Sequence, residues 1–132
     1  TLLNEEEIFG IKNYKTYQNF GEKINKLKEN VIKNINNLRE NNKKIIGFGA
    51  PAKATTALNF FGISNQIDYV VEDNKLKHNK FIPGVLIPIK DKKNLKEKNT
   101  LILVLAWNFF NEIKKNNSNL SNNFINIKDL EK

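Results

Sequence analysis

The hydrophobic and polar positions of the first third of the chain follow a helical rhythm. In the segment TYQNFGEKINKLKENVIKNINNLRE, apolar residues recur every three or four positions, so they form one stripe at a period of 3.6. The stripe consists of Phe20, Ile24, Leu27, Val31, Ile35 and Leu38. The pattern predicts a helix from about Tyr17 to Glu40, with Thr16 as its N-cap. We expect this face to pack on its own domain, and the alternative is a partner-binding or membrane-surface stripe.

The rest of the chain changes to short apolar, β-branched runs that predict strands. These runs are Lys44–Phe48, Gln66–Asp73, Val85–Ile87, Thr100–Trp107 and Asn122–Ile127. Between the first two, PAKATTALNFFG predicts a helix with Pro51 in its first turn and Gly62 at its C-terminal cap. NFFNEIKKN predicts another helix. This spacing is typical of βαβ units with parallel strands, and the most hydrophobic run, residues 100–107, should lie centrally.

These elements predict a single α/β domain of three layers with a mostly parallel sheet, preceded by a long N-terminal helix. Residues 1–42 would form a lead-in and the long helix, and residues 43–132 the α/β core. The lead-in, residues 1–13, is interpreted as a tail that crosses from another domain. The chain begins at Thr1 and contains no methionine, which favours a fragment of a longer protein.

Composition narrows the possible chemistry. The 132 residues include no cysteine and one histidine, His78, which excludes disulfides and thiolate metal sites and disfavours a histidine metal site. His78 lies in a polar segment and is expected to be an exposed loop residue. No apolar run approaches the roughly 20 residues that span a bilayer, and no charged-then-apolar leader opens the chain. We therefore expect a cytoplasmic domain without metal or membrane partner.

The net charge of +8 raises the question of nucleic acid. Only one of the 22 cations is an arginine, Arg39, although arginine is the preferred reader of phosphate and guanine. The abundance of Asn, Lys and Ile together is typical of an AT-rich coding sequence. We therefore predict no nucleic-acid partner, while the positive surface would still attract an anionic small molecule.

The turn between the first strand and the second helix carries the most specific candidate chemistry. Gly47, Gly49 and Ala52 have the spacing G-x-G-x-x-[G/A], which allows a tight turn and brings backbone N–H groups close to a ligand phosphate. Lys53 lies in the first helical turn, where the helix macrodipole disfavours a cation. We therefore expect an anion there, with Thr55 and Thr56 as further donors. The alternative is a plain tight turn from which Lys53 extends into water.

Two further pairs of candidate binding residues follow strands and are expected at the same edge of the sheet as the glycine turn. Ligands of open α/β sheets bind outside the carboxyl ends of the strands. Glu72 and Asp73 follow the second strand, where a ribose-binding acid belongs in a dinucleotide fold. Trp107 and Asn108 end the central strand, and Trp107 could stack on a base or a sugar. Its alternative is a core or rim aromatic.

Four ordered segments resemble a known family. GFGAPAKATTALNFFGI, IDYVVEDNKLKHNK, PGVLIPI and LAWN before a helix are similar to segments of the C-terminal domain of sugar C-methyltransferases, which are S-adenosylmethionine-dependent enzymes acting on nucleotide-linked keto-sugars. The order and the distances match, and so does the preceding helix, so the resemblance extends from about Thr1 to Ile127.

The resemblance implies a Rossmann-like domain that closes against a separate methyltransferase core, with the nucleotide sugar between the two. Carried over residue by residue, the substrate-binding positions are Gly47, Gly49, Ala50, Pro51, Ala52, Lys53, Thr56, Glu72, Asp73, Trp107 and Asn108. Glu72 is a departure, because a hydrophobic or small residue is commoner there, so either acid could point into the cleft. The family's catalytic base, its S-adenosylmethionine motif and its N-terminal metal-binding cysteines have no match here.

The expected function is thus a substrate-binding and domain-closing module of such a methyltransferase, without catalytic or metal-binding residues of its own. S-adenosylmethionine would be bound by the core in cis. The alternative from the glycine spacing is a small NAD(P)- or nucleotide-binding Rossmann module, for which the sheet is short. A third hypothesis is an oligomerisation module built on the long helix.

Overall fold

The computed structural model describes residues 1–42, 44–96, 100–121 and 123–132. The helices are α1 (Leu2–Phe9), α2 (Tyr14–Asn41), α3 (Ala52–Phe61) and α4 (Phe110–Asn116). The strands are β1 (Ile45–Phe48), β2 (Tyr69–Val71), β3 (Lys80–Phe81), β4 (Pro88–Lys90), β5 (Leu101–Val104) and β6 (Phe124–Asn126). Short 3-10 turns lie at Ser64–Gln66, Lys75–Lys77, Lys92–Asn94, Trp107–Phe109 and Ile127–Glu131.

The six strands form one mixed sheet in the order β3-β4-β2-β1-β5-β6. Four of the neighbouring pairs are parallel, and β3 pairs antiparallel with β4 at the edge. The expected mostly parallel sheet is confirmed. The most hydrophobic run, which was expected at the centre, forms β5 between β1 and β6, and the two central strands are β2 and β1.

Side chains alternate between the two faces of the sheet, as the pleat requires. On β1, Ile45 joins the core shared with α2 and α3, whereas Ile46 and Phe48 join the core on the side of α4. On β5, Leu103 and Val104 divide in the same way. This alternation determines on which face of the sheet the side chain at the end of each strand lies.

Helix α2 is longer than predicted and is packed along only part of its length. Val31 and Ile35 are fully buried against the domain, whereas Phe20, on the same stripe, is 64% exposed. The prediction of Thr16 as N-cap is wrong: Asn13 caps the helix by accepting a hydrogen bond from the Lys15 amide. The Thr16 hydroxyl instead donates to the Gly10 carbonyl. The expected lead-in contains α1.

The strand predicted at Val85–Ile87 is wrong, because these residues form the loop between β3 and β4. Leu86 has φ +56, a left-handed backbone that a strand cannot contain. The Ile82 amide donates to the Ile87 carbonyl across the loop at 2.9 Å. The strand begins only at Pro88, in the edge pair with β3, a position compatible with its missing N–H.

Two other strands are shorter than predicted. Strand β2 omits residues 66–68, because Gln66 ends a 3-10 turn and the Asp68 carboxylate accepts a hydrogen bond from the Ile45 amide. Strand β5 ends at Val104, and Trp107 opens a 3-10 turn. Two predicted boundary residues, Lys43 and Asn122, lie outside the described residues. Within the described ranges, no helix has the length and apolar character needed to cross a bilayer.

Candidate functional site

A cleft of about 550 Å³ opens at the carboxyl ends of the parallel strands, on the α4 side of the sheet. Its floor is Phe48 and Gly49 at the end of β1, and its walls come from the loops after β1, β2, β4 and β5 and from α4. The lining residues also include Pro51, Glu72, Asp73, Asn74, Lys77, Lys92, Ala106, Phe109, Glu112, Ile113, Asn116 and Asn117. Four of the residues predicted from the sequence therefore line one cavity: Gly49, Pro51, Glu72 and Asp73.

The two glycines of the turn have different physical roles. Gly49 has φ +89, and a Cβ there would lie 2.9 Å from the Ala106 Cβ, so both conformation and space require glycine. Gly47 lies inside β1, where a Cβ would meet Val70 and Leu105 at 2.8 and 2.9 Å. Gly47 therefore permits sheet packing, whereas Gly49 shapes the turn that borders the cleft.

Glu72 occupies the backbone donor that the sequence analysis assigned to a ligand anion. Its Oε2 accepts a hydrogen bond from the Ala50 amide at 2.7 Å, and its Oε1 accepts one from the Asn74 amide at 3.1 Å. The side chain is 15% exposed. A carboxylate of the protein thus fills the anion position at the start of the turn, and a ligand phosphate could take the Ala50 amide only by displacing it.

Lys77, in the loop after β2, contacts both Ala50 and Glu72. Its Nζ donates to the Ala50 carbonyl at 2.7 Å and lies 3.9 Å from the Glu72 carboxylate. From the loop after β4, the Lys92 Nζ pairs with Asp73 at 2.9 Å. The cleft therefore combines two ammonium groups with the carboxylates of Glu72, Asp73 and Glu112, rather than presenting a uniformly positive surface.

Lys53 lies on the other side of the turn. Its Nζ is 4.4 Å from the centroid of the Trp107 ring, so the cation that the helix macrodipole disfavours is compensated by a cation–π contact within the protein. Trp107 packs on the core shared with α2 and α3. Lys53 and Trp107, which were expected at the same edge of the sheet, do contact each other. Neither is among the residues that line the cleft.

The remaining predicted positions surround the turn. Ala50 contributes its amide and carbonyl to the contacts with Glu72 and Lys77. Ala52 begins α3 and is exposed, as are Thr56 and Asn108. Their substrate-binding roles stay predictions.

His78 is half-buried rather than the exposed loop residue that was expected. Its Nε2 lies 2.6 Å from the Glu72 carbonyl oxygen. Because a carbonyl can only accept, Nε2 carries the proton in this contact. His78 thereby holds the backbone of Glu72, and the Glu72 side chain in turn accepts the hydrogen bond from the Ala50 amide.

Most of the cleft wall was not predicted from the sequence. The missed side chains are Asn74, Lys77, Lys92, Phe109, Glu112, Asn116 and Asn117. Asn74 and Lys77 follow β2 within six residues, so the rule that loops at carboxyl ends build the site could have found them. The residues of α4 lacked such a signal, because their contribution depends on how the helix packs over the sheet.

The side chains of the cleft offer several hydrogen-bonding groups to a ligand. Within the described ranges, no group of three or more His, Cys, Asp or Glu side chains is placed to hold a metal ion. Carboxylates, amides and ammonium groups around a cavity with one exposed aromatic ring, Phe109, can hold a polar, anionic ligand by hydrogen bonds and stacking.

Comparisons with known proteins identify the family. A family model described as C-methyltransferase C-terminal domain matches residues 1–126. The chain is also similar to C-methyltransferase NovU from Streptomyces niveus, with 28% identity over 117 residues. That match covers 87% of this chain but only 28% of the relative. Because the family model covers nearly the whole chain, the protein belongs to the family of C-methyltransferase C-terminal domains.

Proposed function

We propose that this domain binds the substrate of an S-adenosylmethionine-dependent C-methyltransferase, a nucleotide-linked sugar, and closes over it together with a methyltransferase core in cis. The single observation that carries this proposal is the polar cleft of about 550 Å³ at the carboxyl edge of the sheet. The domain positions the substrate and excludes water, and the bond-making groups lie in the core.

The strand order supports a Rossmann-like assignment for the domain. When the edge strand β3 is set aside, the parallel strands run β4-β2-β1-β5-β6, so the chain order reverses direction at the boundary between β1 and β5. Open α/β sheets bind their ligands in the crevice at such a switch point. The cleft lies there, because Gly49 follows β1 and Ala106 follows β5.

The side chains of the cleft match the parts of a nucleotide sugar. The ammonium groups of Lys77 and Lys92 suit the diphosphate, since charge-assisted hydrogen bonds to phosphate are strong. The carboxylates of Asp73 and Glu112 can accept hydrogen bonds from sugar hydroxyls. The Phe109 ring is 58% exposed at the cleft and can stack on a sugar or base.

S-adenosylmethionine does not fit the residues of this domain. The acid after β2 that could take a cofactor ribose already accepts hydrogen bonds from the Ala50 and Asn74 amides. We therefore assign the cofactor to the core. A small NAD(P)-binding module is the alternative from the glycine spacing, and a titration with both ligands distinguishes the two.

Isothermal titration of the chain with a thymidine diphosphate sugar and with NADH tests the proposal. We expect binding of the sugar nucleotide and a loss of about tenfold to a hundredfold in affinity for Lys77→Ala, because a hydrogen bond to a charged group contributes about 1.5–3 kcal/mol. Lys132→Ala removes a cation that is 81% exposed and remote from the cleft, so it should leave the affinity unchanged.

Two results would contradict the proposal. One is binding of NADH without binding of the sugar nucleotide, which would favour the alternative module. The other is methyl transfer from S-adenosylmethionine to a nucleotide keto-sugar by this chain alone, because that would place the chemistry inside the domain.

A further inference from the structure

The N-terminal arm, defined as residues 2–20, exposes a concentration of large apolar side chains. It carries eight of the thirteen exposed large hydrophobic residues in the part of the chain that the structure describes. These are Leu2, Leu3, Ile8, Phe9, Ile11, Tyr14, Tyr17 and Phe20, with exposures from 40% to 87%. Apolar residues gathered in this way mark an interaction surface more often than scattered ones do.

The arm has a defined shape. Gly10 ends α1 in the left-handed conformation, with φ 82. The Thr16 hydroxyl donates to the Gly10 carbonyl at 2.9 Å, and the Tyr17 hydroxyl donates to the Ile11 carbonyl at 2.6 Å. These bonds set α1 relative to the start of α2. A surface ordered in advance loses less conformational entropy when a partner binds.

A groove of about 530 Å³ lies along the arm and offers a place for partner side chains. It is lined by Phe9, Thr16, Tyr17, Asn19, Phe20 and Lys23. Its aromatic walls and single ammonium group suit an apolar ridge that carries a polar or acidic rim. The groove and the exposed half of the α2 stripe are continuous, because Phe20 belongs to both.

Charge argues against a second copy of this chain as the occupant. Each copy carries a net charge of +8, and like net charges repel as two molecules approach. The arm itself holds two lysines and three glutamates, so its own charge is close to neutral and does not offset that repulsion. A homodimer through the arm would have to overcome this cost with apolar contact and the few charge pairs that the arm offers.

Tethering favours a domain of the same polypeptide. The matched region covers only 28% of the related C-methyltransferase, so most of that relative consists of other segments. A domain connected in cis meets the arm at an effective concentration in the millimolar range, which an untethered partner rarely reaches.

We propose that the N-terminal arm is the docking surface for the methyltransferase core of the same polypeptide, with an apolar ridge of the core seated along residues 2–20. This inference rests on the proposed function. The second half of α2 then packs against this domain and its exposed first half packs against the core, so that one helix connects the two. The core is thereby fixed relative to the cleft.

Hydrogen exchange of the amides in residues 2–20 tests this inference, measured in the enzyme that carries this chain and in the chain alone. We expect exchange at least tenfold slower in the enzyme. The double variant Phe9→Ala with Phe20→Ala should remove most of that protection. The matched control is Phe81→Ala, which truncates another exposed phenylalanine on the edge strand β3 and should leave the protection intact.

Equal exchange in the enzyme and in the chain would overturn the inference, because the arm would then be uncovered. Light scattering of the chain alone is expected to give a monomer. A dimer that the double variant dissolves would also overturn it, in favour of a second copy. Neither measurement uses substrate, so failure here is distinct from failure of the cleft to bind a nucleotide sugar.

Discussion

The two sides of the turn at the end of β1 differ in what their charges do. On the α4 side, Lys77 and Glu72 hold the turn's backbone at the border of an open cleft. On the α3 side, the Lys53 Nζ lies over the Trp107 ring, and Trp107 packs against the core shared with α2 and α3. The lysine at the start of α3 is therefore engaged by an aromatic ring of the protein itself, whereas the open cleft lies on the α4 side of the sheet.

The physical origin of this division is the pleat of the strands. Residues that follow β1 and β5 fall at one edge, as sequence spacing predicts, but their side chains continue the alternation between the two faces. Gly49 lies at the boundary between the two sides.

Gly49→Ala should have the largest effect on stability. The new Cβ would require a left-handed backbone for a non-glycine residue and would lie 2.9 Å from the Ala106 Cβ, which together cost about 2–4 kcal/mol. Urea denaturation measures the loss. The matched control is Gly21→Ala in α2, where no atom lies within 4 Å of the new Cβ, and this variant should gain up to about 1 kcal/mol. A neutral Gly49→Ala would contradict the described turn.

Asp68→Asn should cost about 1–2 kcal/mol of stability without changing ligand affinity. Burial raises the pKa of Asp68, but hydrogen bonds from Arg39 and the Ile45 amide outweigh it, so the folded pKa lies below the ordinary value. The Arg39 Nη1–Asp68 Oδ2 distance is 2.6 Å, and the pair lies at the amino end of the sheet, away from the cleft.

The pH dependence follows from the direction of that shift. Because the folded pKa is depressed, ionised Asp68 stabilises the fold fully above its unfolded pKa of about 3.9. This stabilisation is lost as the pH falls through the folded pKa. The stability difference between the native chain and Asp68→Asn should therefore shrink below about pH 4. Asp129→Asn, at an exposed surface pair, provides the control and should change stability by less than about 0.5 kcal/mol at any pH. A constant difference down to pH 2 would count against the assignment.

Glu72→Gln should tighten the binding of inorganic pyrophosphate by about fivefold, which corresponds to about 1 kcal/mol. The change removes a negative charge from the cleft and weakens the hold on the Ala50 amide, while the amide oxygen keeps one acceptor. Glu29→Gln, on the exposed surface of α2, should not change the affinity. Weaker pyrophosphate binding by Glu72→Gln would show that this carboxylate does not compete with the ligand anion.

Lys53→Ala should have the smallest effect. The cation–π contact with Trp107 contributes about 0.5–1 kcal/mol, and the helix macrodipole opposes a cation at that position by about 0.3–1 kcal/mol. The two nearly cancel, so stability should change by less than about 0.5 kcal/mol and affinity for the sugar nucleotide by less than twofold. A tenfold loss of affinity, as expected for Lys77→Ala, would move the ligand to the α3 side.

Most of the fold follows from local patterns in the sequence. The period of the α2 stripe, the runs that become β1 and β5, and Gly62 as the cap of α3 all predict the correct elements. The strand at Val85–Ile87 failed, because hydrophobicity alone does not show that Leu86 adopts a left-handed backbone in a loop. The sequence also did not show that Val31 and Ile35 are buried while Phe20 on the same stripe is exposed. The burial of each residue depends on which other elements pack against that part of the helix.

The candidate site was predictable in position but not in detail. The glycine spacing and the acids after β2 predicted the edge of the sheet at which the cleft opens. The bond from the Ala50 amide to Glu72, and the ring of Trp107 under Lys53, depend on rotamers that spacing does not determine. Asn116 and Asn117 enter the cleft through the packing of α4, which no motif records.

The most direct test of the account is an NMR titration of the chain with a thymidine diphosphate sugar. We expect the largest amide shifts at Gly49, Asn74 and Asn117, which line the cleft, and small shifts at Thr56 and Asn108. Shifts confined to Thr56, Asn108 and the start of α3 would contradict the central claim, because the ligand would then lie on the α3 side of the sheet.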